Sequence, residues 1–153
     1  MTLKRNSVIR KEWLYDFDVD GAISGKFQLR PCDPNGNELP EGFIVRNAGA
    51  VVETAITPSA SRTMTFGTDN DEDGFLADII AGYNAANSVV RSGEVAGALL
   101  WDDTNDHEID YRVGAAAALG KVVAEIGTGV LTGGKVRFFV EGYVPSPSPS
   151  YEV

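Results

Sequence analysis

From Trp13 the chain reads WLYDFDVD, with Trp13, Tyr15, Phe17 and Val19 at alternate positions and Asp16, Asp18 and Asp20 between them. A period of two predicts a strand with one face buried. GAIS then permits a turn, and GKFQLR alternates again with Phe27 and Leu29 on one side, so the two segments are expected to pair as a hairpin. Residues 31–42, PCDPNGNELPEG, combine prolines and glycines with Asn and Asp, a composition that supplies turns and cannot continue a sheet ladder. FIVRNAGAVVETAIT is expected to hold one or two strands, and SRTMTFG sets Arg62, Met64 and Phe66 against Thr63 and Thr65. EVAGALLW, HEIDYRV, KVVAEI and KVRFFVEGYV are further strand-like segments, divided by DDTND, GAAAALG and GTGVLTGG. In the last of them Val136, Phe138 and Val140 oppose Arg137, Phe139, Glu141 and Tyr143. Aromatic residues on both faces predict a strand covered on both sides, by a second sheet and by a neighbouring subunit or arm.

One segment breaks the pattern. Phe75, Leu76, Ile79, Ile80 and Tyr83 recur as one face of a helix, and the preceding TDNDEDG would place acids at its first turn. The fold class that follows is all-β: a β-sandwich of jelly-roll or immunoglobulin-like type with one short inserted helix near residues 73–83. The chain divides into a basic N-terminal arm at 1–11, the sandwich at 12–144 and a Pro/Ser-rich tail at 145–153, where PSPSPSYEV favours an extended, solvated chain.

Length and charge narrow the possibilities. A chain of 153 residues folding as one domain buries roughly 68 to 70% of the surface its unfolded form exposes, enough for a core without staples. Cys32 is the single cysteine, so no intrachain disulfide forms. MTLKRNSVIRKE lacks the apolar stretch of a signal peptide, and no run of about 18 apolar residues suggests a membrane span. The net charge is −9 and unevenly spread. Between residues 67 and 110, Asp69, Asp71, Glu72, Asp73, Asp78, Glu94, Asp102, Asp103, Asp106, Glu108 and Asp110 face one base, Arg91. Lys4, Arg5, Arg10 and Lys11 sit in the first eleven residues with no acid among them. An acidic body repels a phosphate backbone, which argues against nucleic-acid binding. The basic arm carries apolar anchors in Val8, Ile9, Trp13 and Leu14, and is expected to lie along a neighbouring acidic surface.

Candidate chemistry is sparse. Asp69, Asp71 and Asp73 followed by Gly74 begin a calcium loop, yet its twelfth position, where a bidentate carboxylate belongs, is Ile80. Helix capping explains the acids without a metal. His107 alternates with Ile109, Tyr111 and Val113 and away from Glu108 and Asp110, as an ordinary strand-end histidine would. There is no G-x-S-x-G elbow, Cys32 has no histidine nearby in sequence, and GTGVLTGGK lacks P-loop spacing. No catalytic, cofactor-binding or metal-ligating residue is assigned, and no enzymatic activity is expected.

The strand TMTFGTD, the acidic connection into EDGFLADIIAGY and the terminal VVAEIGTGVLTGGKVRFFVEGYV resemble, in order and over roughly residues 60–144, the decoration or cement proteins of tailed-bacteriophage heads. The resemblance implies a β-sandwich on the outer surface of a capsid, commonly a homotrimer, that staples neighbouring major capsid subunits. It would be made in the host cytoplasm without a signal peptide and would need no cofactor, nucleic acid or membrane. The resemblance does not extend to residues 1–59; the charge and apolar anchors of the arm and the outer aromatics of the last strand give the expected capsid or subunit contacts Lys4, Arg5, Val8, Ile9, Arg10, Lys11, Trp13, Phe139 and Tyr143. The alternative is a carbohydrate- or receptor-binding sandwich of a phage or bacterial surface structure, with Trp101, Tyr111 or Tyr143 as stacking platforms and the acidic loop holding calcium.

Overall fold

The computed structural model describes residues 2–3, 8–33, 38–58, 60–95, 97–116, 119–145 and 151–152. In chain order the elements are β1 (Thr2–Leu3), β2 (Ile9–Asp16), the single turn α1 (Phe17–Asp20), β3 (Gly25–Gln28), β4 (Arg30–Pro31), β5 (Ile44–Thr57), β6 (Thr63–Thr68) and β7 (Asp71–Leu76). There follow α2 (Ile80–Tyr83), β8 (Val89–Arg91), α3 (Ser92–Val95), β9 (Trp101–Asp102), β10 (His107–Glu108), β11 (Tyr111–Arg112), β12 (Val122–Gly127), β13 (Gly133–Tyr143) and β14 (Tyr151–Glu152). The all-β expectation holds.

Two antiparallel sheets make the body. The larger runs β11-β5-β13-β2-β4, with β8 also on β5; the smaller runs β3-β12-β6-β7. Their inner faces meet in one aromatic centre. Phe66 of β6 lies 4.8 Å from Phe138 of β13, 5.4 Å from Phe75 of β7 and 6.2 Å from Trp13 of β2, measured between ring centroids. These separations suit attractive edge and tilted contacts. Val136, Phe138 and Val140 are buried on this side, as their alternation predicts. The small residues that blur the pattern of β5 have a packing reason. Gly49 stands opposite Phe139 in the ladder, and a Cβ there would overlap the Phe139 ring.

Several expected elements differ. WLYDFDVD does not stay extended to Asp20. The Asp16 carboxylate accepts from the Asp18 amide at 3.1 Å, the Asp20 carboxylate accepts from the Asp16 amide at 2.8 Å, and Gly21 takes a positive φ of 78°. These local bonds outcompete the ladder and turn the chain. It then crosses to the other sheet, where β3 pairs with β12, so the expected hairpin is not formed; only the two residues of β4 return to β2. The helix expected to begin beside the acids is also corrected. Asp71–Leu76 is a strand in hairpin with β6, and helical structure is confined to Ile80–Tyr83, where Ala81 and Gly82 already leave helical angles. Phe75, Leu76, Ile79 and Ile80 are buried as the pattern required, because apolar pairs at that spacing suit a strand followed by a turn as well as one helix face. EVAGALLW forms α3 and turns in place of a strand, and HEIDYRV breaks into β10 and β11, which pair with different strands.

Candidate functional site

The residues expected to make contacts fall into three environments. Lys4 and Arg5 lie outside the described residues. Val8 and Ile9 are exposed, by 70% and 39%, at the end of the large sheet where Ile9 faces Gly142. Val144, 44% exposed, follows directly from half-buried Tyr143 at the same end. The ladder register thus places Val8, Ile9, Tyr143 and Val144 at the same end of the large sheet. Ile9, Arg10 and Lys11 are strand residues of β2 and not part of a separate arm. Single exposed aliphatics are ordinary on a protein surface; several at one place are the signature of a contact.

Trp13 and Phe139 belong elsewhere. Trp13 is fully buried between the sheets and has no surface to present to a partner, which corrects its assignment as a contact residue. Phe139 is covered within its own chain. The Arg10 guanidinium carbon stands 3.9 Å above its ring centroid and that of Arg91 is 5.6 Å away. Glu141 holds both cations, at 3.6 Å from each, and also accepts from the Asn47 amide at 3.2 Å. The expected cover over β13 exists, but intrachain guanidinium groups provide it and β5 supplies the groove through Gly49.

The outward face of the large sheet continues this network. Arg137 donates to Glu53 at 2.8 Å and lies 3.9 Å from Glu12, while Lys135 reaches Glu53 at 3.4 Å. The Arg137 hydrogen bond holds the Glu53 carboxyl below its ordinary range. Cys32 accepts from Arg137 at 3.4 Å, while burial pushes its thiol up, against the direction that activates a thiol.

The acidic segment is arranged differently. Asp69 pairs with Lys26 at 2.9 Å. Asp71 is pushed up to about 6, first by burial and then by a hydrogen bond and repulsion from Asp73. The Asp78 carboxylate accepts from the amides of Met64 and Ile80 at 3.1 and 3.0 Å, and Asp102 accepts from those of Thr104 and Asn105. The first three acids therefore serve a hairpin and not a helix start. The described His, Cys, Asp and Glu residues form no cluster able to hold a metal ion. His107 is exposed, opposite Asp102 in a two-residue ladder. Tyr111 donates to the Leu119 carbonyl at 2.7 Å and packs edge-on against Phe75, which leaves it unsuited to stacking on a sugar.

Sequence reasoning did not find a cleft of about 460 Å³ lined by Ala77, Asp78, Ala81, Glu94, Trp101 and Asp103, among others. Its walls come from α2, α3, β9 and the turns between them, segments whose periodicity suggests a longer helix and a strand, so only Trp101 as a candidate stacking platform and the charge bias of residues 67–110 point toward it.

No protein-family model and no curated protein matches the chain. Solved structures do. A chain of the cyanophage Pam1 capsid asymmetric unit superposes with a TM-score of 0.62 at 15% identity, covering 92% of this chain and 86% of that one. A chain of the acidic stable capsid structure of Helicobacter pylori bacteriophage KHP30 superposes with a TM-score of 0.57 at 16% identity, covering 93% and 92%. At such identities the likeness is one of fold, and it extends over nearly the whole chain.

Proposed function

We propose that the chain is a non-enzymatic structural protein of a bacteriophage head, bound to the outer capsid surface where it staples neighbouring major capsid subunits. The supporting observation is the fold shared across more than nine-tenths of the chain with chains of two phage capsids. The surface adds a physical reason. A protein that bridges two capsomers makes their separation break its own contacts as well, and it needs rigidity and area in place of an active site. The aromatic centre between the sheets supplies rigidity; the edge at Val8, Ile9, Tyr143 and Val144 supplies an apolar contact, with Lys11 nearby. Lys4 and Arg5 extend this contact on the capsid. The working unit is a homotrimer, with neither nucleic acid nor a membrane as partner.

The test is attachment to capsids assembled without this protein. Saturable binding at a fixed ratio to capsid subunits is expected, weakened at least about tenfold by Val8→Asp/Ile9→Asp, which places charge on the apolar edge. Absence of binding at low and high salt alike would overturn the proposal.

A further inference from the structure

The cleft at Trp101 has a composition unlike the rest of the surface. Ala77, Ala81 and Val95 give it an apolar lining, half-buried Trp101 contributes an indole, and Asp78, Glu94 and Asp103 bring three carboxylates. Among the described residues none of these three carboxylates is in an ion pair, a property they share with other acids of the segment such as Asp73 and Glu108, but here they line one cleft. Asp78 is partly occupied by the backbone amides of Met64 and Ile80, which keeps its wall in place without neutralising it. Arg91, the one base of residues 67–110, is committed to Glu141 and Phe139 on the other side of β8.

We propose that this cleft receives a lysine or arginine side chain presented by a partner protein. A cation on an aliphatic stem fits each part: the stem lies against the alanines and Val95, the charge meets the indole and the unpaired carboxylates. The volume, within the usual range for small-ligand clefts, holds one such side chain with its flanking backbone. A compact metal ion does not fit, because the described His, Cys, Asp and Glu residues include no group of three close enough to hold one, whereas a guanidinium or ammonium on a flexible stem needs only one carboxylate beside the indole. A neutral sugar or an anion would leave the three charges uncompensated. The site is independent of the capsid reading, since it can be measured on the isolated chain.

The chain has two tryptophans, of which Trp13 is fully buried, so their indole N–H resonances form a signal and an internal control. The probe is a capped Gly-Arg-Gly-Arg-Gly peptide, with its citrulline counterpart as the isosteric neutral control. The arginine peptide is expected to shift the Trp101 resonance saturably and leave that of Trp13 in place. Glu94→Gln/Asp103→Asn, two exposed changes compatible with folding, should weaken binding about tenfold, as should salt raised to about 0.5 M. The proposal is overturned if Trp101 does not respond, if the citrulline peptide binds as well as the arginine peptide, or if the double variant binds unchanged.

Discussion

The outward face of the large sheet and the acidic segment from Asp69 to Asp110 are both charged surfaces, and they handle charge in opposite ways. On the sheet face, Arg10, Arg91, Lys135 and Arg137 are interleaved with Glu12, Glu53 and Glu141, and every one of these charges has an opposite charge on another strand of the sheet. That face nearly neutralises itself. In the acidic segment the two end residues are paired, Asp69 with Lys26 and Asp110 with Arg46, while carboxylates between them serve backbone amides, as Asp78 and Asp102 do, or crowd each other, as Asp71 and Asp73 do. Amides shape the loops without cancelling the charge, so the field persists outward. A self-neutralised face is a poor magnet for a partner and an uncompensated one a good magnet.

The largest way to break this contrast is to remove what the paired face is built over. Phe139→Ala should cost about 3 kcal/mol in chemical denaturation, because it empties a buried site and strands Arg10 and Arg91 above it. A loss below about 1 kcal/mol would show that the guanidinium cover contributes nothing to packing. Gly49→Ala should cost about 1 to 3 kcal/mol, since its methyl would enter the Phe139 ring; in the Phe139→Ala background that cost should shrink, which a double-mutant cycle would read directly.

The acidic segment gives a pH signature of opposite sign. Because Asp71 is pushed up to about 6 against an ordinary 3.8, the folded chain holds this proton more tightly than the unfolded one. Its contribution to stability is therefore greatest below the ordinary value and is lost as pH rises through about 6. Asp71→Asn removes the penalty and should stabilise the protein at pH 8. The carboxyl remains partly exposed, so solvent screening holds the gain to about 1 kcal/mol. Glu53, held low by Arg137, works the other way: its contribution is present at neutral pH and fades as acid protonates it. Glu53→Gln should give the smallest effect, below about 1 kcal/mol, because the pair with Arg137 is near the surface. Unfolding midpoints of both variants across pH 4 to 8 would separate the two signs.

The paired face was more legible in the sequence than the unpaired one. The period of two along KVRFFVEGYV identified β13 and its doubly covered character, since a strand writes its two faces into alternate residues. What covers Phe139 was not legible, because Arg10 and Gly49 reach it through ladder register and lie far away in the chain. The acidic segment misled for a local reason: carboxylates before an apolar pair suit a helix start and a hairpin turn equally well, and the choice fell to Phe66 and Phe75, which pack against each other across β6 and β7. Trp13 shows the limit of reading charge and hydrophobicity together. Its closeness to Lys11 suggested a contact anchor, while its alternation with Tyr15 already placed it in the core. The Trp101 cleft is assembled from short elements and turns separated in sequence, and their local patterns suggested a longer helix and a strand in its place.

An electron-microscopy map of the phage head would locate the chain on the particle most directly. Density for the two-sheet body is expected on the outer capsid surface, touching at least two major capsid subunits through the end carrying Val8, Ile9 and Val144. A map that places the chain in the tail or inside the shell, or a particle that lacks it, would contradict the proposed position.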